Sequence, residues 1–203
     1  MGNIFVISAP SGSGKTSLAN RMLVEIPNLW FSVSYTTRSP RGQEKQGKDY
    51  HFISREKFTQ MIENKEFLEW ENVYGDYCYG TAEAPVREAF ARGQDVLLDI
   101  DVKGAGKVKA RRQDAILIFV MPPSYDELQK RLRGRGVDGE ETILNRLKIA
   151  RQEIKGYTMY DYLIVNQDIE DSLTRLKAIV TAARCRVSRM EKMGAQILRT
   201  FGE

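Results

Sequence analysis

Histidine and cysteine are scarce in this chain. Its 203 residues include one histidine, His51, and two cysteines, Cys78 and Cys185. So little imidazole argues against histidine-rich metal sites and against hydrolytic triads that use a histidine base. Two distant cysteines cannot form a disulfide framework and lack metal-ligand spacing, so a reducing, cytoplasmic setting is expected. Long apolar runs are missing too. None approaches the ~20 residues of a membrane span, and no basic segment with an apolar core precedes the first strand, so a soluble, unexported protein without a membrane partner is expected. The charge surplus is small, 31 Lys and Arg against 27 Asp and Glu, a formal net charge of +4. That balance favours anionic ligands modestly and does not point to nucleic acid. With 42% hydrophobic residues over this length, one globular domain with small insertions is expected.

The most informative stretch lies near the start. An apolar, strand-like run, Ile4-Phe5-Val6-Ile7, empties into Ser8-Ala9-Pro10-Ser11-Gly12-Ser13-Gly14-Lys15-Thr16. Small residues there allow successive backbone N–H groups to turn inward around a phosphate chain, and the following helix aims its positive N-terminus at the same anion. Gly12 and Gly14 permit such a backbone, Lys15 can reach β- and γ-phosphates, and Thr16 offers a hydroxyl of the kind that ligates Mg²⁺. Ala9 replaces the usual first glycine and is tolerable if its φ stays negative. A plain strand-to-helix turn is the bland alternative.

Further along, apolar periodicity predicts a helix over 17–26, a strand over 29–33, a helix over 85–92 stopped by Gly93, buried strands over 95–100 and 115–120, and a helix over 102–112. That last helix carries Lys103, Lys107, Lys109, Arg111 and Arg112, which read as a solvated face. Ser124 and Glu127 form a capping-box signature for a helix bearing Leu128 and Leu132. Beyond Gly134, Gly136 and Gly139, a helix bearing Ile143, Leu147, Ala150 and Ile154 follows. Tyr162–Val165 reads as a last buried strand, and 169–193 as one helix burying Leu173, Leu176, Val180, Ala183, Val187 and Met190 and ended by Gly194. Five apolar strands alternating with helices imply a parallel α/β sheet covered on both faces. Between residues 34 and 80 the texture changes to Arg, Tyr, Thr and short alternating segments, which reads as an inserted, mostly antiparallel α+β lobe.

That lobe holds Ser34-Tyr35-Thr36-Thr37-Arg38-Ser39-Pro40-Arg41 and Gly47-Lys48-Asp49-Tyr50. Paired guanidiniums can chelate a monophosphate while tyrosine hydroxyls add neutral donors, so a second phosphate site is expected beside the first. Phosphoryl transfer to an acceptor that is itself a phosphate needs no strong base, since its second pKa is ~6, and this suits a chain poor in histidine.

Taken with Phe67-Leu68-Glu69-Trp70, Tyr79-Gly80-Thr81, Leu98-Asp99-Ile100-Asp101, Arg131-Leu132, Arg135-Gly136, Arg146 and Ile164-Val165-Asn166, these motifs resemble the guanylate kinase family from about Ile4 to the last helix. The resemblance implies a P-loop kinase fold in three parts: a core (1–33, 83–126 and 152–203), a GMP-binding lobe (34–82) and a helical lid (127–151). It implies transfer of the γ-phosphoryl group of MgATP to GMP, and to dGMP. ATP would lie on Ala9, Pro10, Ser11, Gly12, Ser13, Gly14, Lys15 and Thr16. Arg38, Arg41, Tyr50 and Tyr79 would hold the GMP phosphate, while Ser34, Glu69, Thr81 and Asp101 would surround guanine. An extra residue in Asp76-Tyr77-Cys78-Tyr79 keeps Tyr77 open as an alternative to Tyr79.

Guanine presents N1–H and N2–H₂ as adjacent donors that the Glu69 carboxylate can accept together, whereas adenine presents an acceptor there. An exposed glutamate on an alternating strand is the simpler reading of Glu69 alone. Asp99, at the end of a buried strand, sits where acids meet a magnesium shell, and the resemblance implies contact with Mg²⁺ through water; a helix cap is its other reading. Arg131 and Arg135, four apart on one helix, and Arg146 on the next would bring positive charge to the transferring group together with Lys15. The sequence departs from the family pattern at Ala9, Gly42-Gln43, Cys78 and Lys103, none of which removes a charge the reaction needs. Two other readings remain open: a P-loop kinase for another phosphorylated small molecule, and a non-catalytic module that binds protein partners.

Overall fold

Strand β1 (Ile4–Ser8) is buried along its whole length, and its alternating side chains feed two different cores. The computed structural model describes residues 2–73, 77–134, 136 and 139–202. β1 runs parallel between β7 (Asp95–Asp99) and β8 (Ile116–Met121), with β2 (Leu29–Phe31) and β9 (Tyr162–Val165) outside them, in the order β2-β7-β1-β8-β9. Such runs of β-branched and leucine residues form strands because a sheet covered on both faces buries every side chain. Phe5 and Ile7 pack with α1 (Lys15–Glu25) and α7 (Ile169–Arg184). Ile4 and Val6 pack on the opposite face with α3 (Glu83–Ala91) and α4 (Val102–Arg111).

A second sheet follows β2. Its strands β3 (Tyr35–Thr36), β4 (His51–Phe52), β5 (Phe67–Val73) and β6 (Tyr77–Ala82) are ordered β4-β3-β6-β5, with β3 and β4 parallel and the other pairs antiparallel. With α2 (Arg55–Glu63), capped by the Ser54 side chain, this sheet encloses a separate core around Phe58, Met61, Phe67 and Cys78. Cys78 is therefore an apolar filler there. A helical hairpin, α5 (Tyr125–Gly134) and α6 (Glu140–Glu153), has its own apolar cluster of Leu128, Leu132, Ile143, Leu147 and Ala150, the residues at helical spacing in the sequence. Ser124 caps α5 by accepting from the Glu127 N–H at 3.1 Å.

Three expectations are corrected. β9 is an edge strand, with Leu163 and Val165 exposed and Ile164 buried, so it is covered less than its apolar letters suggest. The helix expected over 169–193 breaks at Cys185 and Arg186 and resumes as α8 (Val187–Arg199), passing through Gly194. Val187 and Met190 are exposed on α8 rather than buried. The break lets Arg184 and Arg189 grip the N-terminal end of the sheet: Arg184 Nε donates to Asp95 Oδ2 at 2.7 Å, and Arg189 Nε donates to Asn3 Oδ1 at 2.8 Å. Lastly, the basic residues of α4 are not simply solvated. Lys107 and Arg111 reach backbone carbonyls of β5, and Lys109 binds Asp161 and the Ala115 carbonyl.

Asp95 is buried and also accepts from the Asn3 N–H at 2.6 Å. Replacing it (Asp95→Ala) strands a buried donor and a half-buried guanidinium, for an expected loss of about 2–4 kcal/mol of unfolding free energy, read as a lower denaturant midpoint. The nucleotide KM values should not move, because Asp95 lies at the far end of β7 from Asp99.

Candidate active site

The loop after β1 turns tightly enough for the Ser13 N–H to donate to the Pro10 carbonyl at 3.1 Å. Gly12 and Gly14 take φ of 94° and 89°, a region that favours glycine. Among the described residues the only non-glycine positions with positive φ are Asn28 and Lys65, so Ala9 meets the condition set for it. Space matters as much as backbone here. A Cβ on Gly14 would meet the Asn166 side-chain nitrogen at 2.4 Å. That amide, buried after β9, donates to the Ser13 carbonyl at 2.7 Å and accepts from Ser172, bracing the loop against α7. The Ser13 hydroxyl is buried without a hydrogen-bond partner among the described residues.

Lys15 opens α1, and its ammonium pairs with the Asp99 carboxylate at the C-terminal end of β7. Thr16 follows in the first helical turn. The N-cap of α4 is Asp101, whose Oδ1 accepts from the Gly104 N–H at 2.8 Å, so the cap role weighed for Asp99 belongs to Asp101. Among the described residues no group of three or more His, Cys, Asp or Glu is placed to hold a metal. A divalent ion here would find oxygens on Thr16 and, through water, on Asp99, and would take its other ligands from phosphates and water, which is how Mg²⁺ is commonly held.

From Lys15 and Asp99 a cavity of about 420 Å³ runs to the second sheet, where Ser34, Arg41, Tyr50, Glu69, Tyr79 and Asp101 line it. Residues expected at two separate anion sites therefore face one space. Arg38 and Thr81 stand behind its wall. Arg38 is buried; its Nε donates to the Tyr79 hydroxyl at 3.1 Å, its guanidinium lies 4.9 Å from the centre of the Tyr50 ring, and Tyr50 and Tyr79 meet edge to face. This joins Tyr79 to the arginine cluster. Tyr77 also lines the cavity but is exposed.

Glu44 escaped the sequence reading. Its carboxylate accepts from Arg38 at 2.6 and 2.7 Å and from the Arg41 N–H at 2.7 Å, and the Arg38 guanidinium lowers its pKa to about 2. The available signal was the spacing Arg38, Arg41, Glu44, with opposite charges three apart. In the hairpin, Arg131 Nε donates to Glu127 at 2.9 Å, and Arg146 reaches the Ser11 hydroxyl at 3.3 Å, linking α6 to the loop. Arg135 lies outside the described residues.

Glu69 is buried, and its Oε1 accepts from the Thr81 hydroxyl at 2.7 Å. Burial is the main cause that lifts its pKa to about 7, outweighing the hydroxyl, while nearby Asp101 pushes the same way. Folding thus retains a proton that the unfolded chain loses near 4.5, and stability falls as pH rises from 4.5 to 7 by ~3 kcal/mol. Glu69→Gln should therefore be the more stable protein at pH 8. Its advantage should shrink to nothing at pH 4.5, as measured by denaturant unfolding at both values.

A parallel sheet whose first strand runs into a glycine-bearing loop, a lysine on the first helix and an arginine–tyrosine cluster beside the same cavity is the arrangement of a P-loop phosphotransferase for small phosphorylated substrates. The family model described as Guanylate kinase matches residues 1–183. The chain is 50% identical to the guanylate kinase of Koribacter versatilis, over 92% of this chain and 81% of that one. It is 47% identical to the guanylate kinase of Myxococcus xanthus, over 97% and 95%. The crystal structure of guanylate kinase from Anaplasma phagocytophilum superposes with a TM-score of 0.75 at 38% identity, covering 93% of this chain and 89% of that one. The chain belongs to the guanylate kinase family.

Proposed function

We infer that the two ends of the cavity divide the reaction between them. As a member of its family, the protein is an enzyme that transfers the γ-phosphoryl group of ATP to GMP. ATP lies along residues 9–16 with Lys15 drawn from Asp99 onto the phosphates, and the buried Ser13 hydroxyl finds an acceptor among their oxygens. Mg²⁺, held by Thr16 and through water by Asp99, supplies charge neutralisation when bound.

GMP enters the other end. Arg38, Arg41, Tyr50 and Tyr79 hold its phosphate, while Ser34, Glu69 and Asp101 surround the base, with Thr81 steadying Glu69. An ionised Glu69 accepts N1–H and N2–H₂ of guanine, which relieves its burial; adenine would face it with an acceptor and leave it unpaired. The accepting phosphate oxygen is already anionic near pH 7, so the side chains position and neutralise rather than abstract a proton. The α5–α6 hairpin acts as the lid, closing Arg131, Arg135 and Arg146 on the transferring group and excluding water. Residues 34–82 form the acceptor lobe. The same reading takes dGMP as a second substrate. No helix among the described residues is long and apolar enough to cross a membrane, and Cys78 and Cys185 are free thiols, as suits a cytoplasmic enzyme.

The carrying observation is the buried Glu69 facing the same cavity as Lys15. ADP release from MgATP should be rapid with GMP and dGMP and near background with AMP, CMP and UMP. In Glu69→Gln, kcat/KM for GMP should fall roughly 100-fold with KM for ATP unchanged. Equal turnover on AMP, or an unaffected variant, contradicts the assignment of Glu69.

A further inference from the structure

Strand β5 is the outer strand of the second sheet, and its free edge meets α4 of the first. Its pairing with β6 slips between Phe67 and Glu69. Leu68, the residue at the slip, packs in the core with Val86, Ala89, Ala105 and Val108, whereas Phe67 packs in the lobe cluster with Phe58 and Met61. Alternation alone separates Phe67 from Leu68; the extra residue at the slip lets Phe67 and Trp70 both meet the lobe cluster and turns Glu69 into the cavity. Gly80 permits this, since a Cβ there would meet the Phe67 ring at 2.9 Å.

Helix α4 holds that bulge from outside. Arg111 Nη1 donates to the Phe67 carbonyl at 2.5 Å and to the Leu68 carbonyl at 3.1 Å. Consecutive carbonyls of a regular strand point to opposite edges, so one nitrogen can take both only where the strand is bulged. One turn earlier, Lys107 donates to the Trp70 carbonyl at 2.6 Å and pairs with Glu71 at 2.7 Å. Gly104, a further turn back, lies against the carboxylate itself: a Cβ there would stand 3.1 Å from Glu69 Oε2. Carbonyls on both sides of Glu69 and the space beside its carboxylate are therefore set by one helix face.

We propose that Lys107 and Arg111 are positioning residues for base selection, fixing the β5 bulge so that Glu69 meets both donors of guanine. The inference rests on Glu69 reading the base. Neither side chain needs to touch substrate. Their charge satisfies an exposed strand edge, and their spacing on α4 sets the register of that edge against the core.

The test uses the full chain, with Lys107→Met and Arg111→Met made singly, Arg111→Lys as the conservative variant and Gly104→Ala as a charge-neutral perturbation from the same face. Steady-state kinetics would be measured with GMP and with IMP, which lacks the N2 amino group, alongside KM for ATP and melting temperature. Expected in both Met variants are a rise of about tenfold in KM for GMP and a similar fall in the GMP-to-IMP ratio of kcat/KM. KM for ATP should be unchanged, and Arg111→Lys should recover part of the loss. Gly104→Ala should show the same signature, which guards against a Met variant that folds poorly. A lower melting temperature with GMP KM and the GMP-to-IMP ratio unmoved would overturn the proposal by reducing the latch to a structural staple. Parallel changes in the ATP and GMP constants would overturn it too. If the wild type fails to prefer GMP over IMP, the fault lies with Glu69 as reader, a different failure from that of the latch.

Discussion

A carboxylate buried with little cationic help organises the acceptor side of this molecule. Glu69 is held by the Thr81 hydroxyl, with Asp101 nearby and Lys107 contributing the weakest of the influences on its charge. A buried acid in that state is costly until something supplies donors, and a base with two adjacent N–H groups does so. The surrounding details follow from keeping it there: the bulge in β5, the missing side chains at Gly80 and Gly104, and the grip of α4 on the strand edge. Selectivity is thereby linked to instability, since the ionised acid weakens the fold when no substrate is present.

The cationic groups are treated in the opposite way. Lys15 rests on Asp99, Arg38 on Glu44 and Arg131 on Glu127. Three of the cations that we assign to phosphates thus have an internal carboxylate, which limits mutual repulsion in a cavity about to receive two anionic nucleotides. Arg38 illustrates the consequence. Its Nε is engaged by Tyr79, and its terminal nitrogens by Glu44 and the Ser39 carbonyl, so an incoming phosphate competes for donors already in use. Arrangement of charge, more than acid–base chemistry, is what the site provides.

Much of the framework was legible from periodicity. Strands such as Ile4–Ser8 and Ile116–Met121 announce themselves because burial on both faces demands continuous apolar residues. The loop glycines, the Ser124 cap and the apolar stripe of α5 and α6 were equally readable, since each rests on local geometry. Reading failed where long-range partners decide. The break at Cys185 and Arg186 depends on Asp95 and Asn3, far away in sequence. The basic face of α4 looked solvated because nothing local reveals that β5 lies against it. Glu44 was passed over because its role exists only once Arg38 and Arg41 are folded beside it. Gly104, inside a helix, was a local hint of a close approach there.

The most direct measurement is the ionisation of Glu69 itself, followed by carbon-13 NMR of the labelled side-chain carboxyl, with Glu69→Gln providing the assignment, in the free protein and in the GMP complex. The free acid should titrate near 7. In the complex its pKa should fall well below that value, because N1–H and N2–H₂ stabilise the charged form. A carboxyl that titrates identically with and without GMP would contradict Glu69 as the reader of the base.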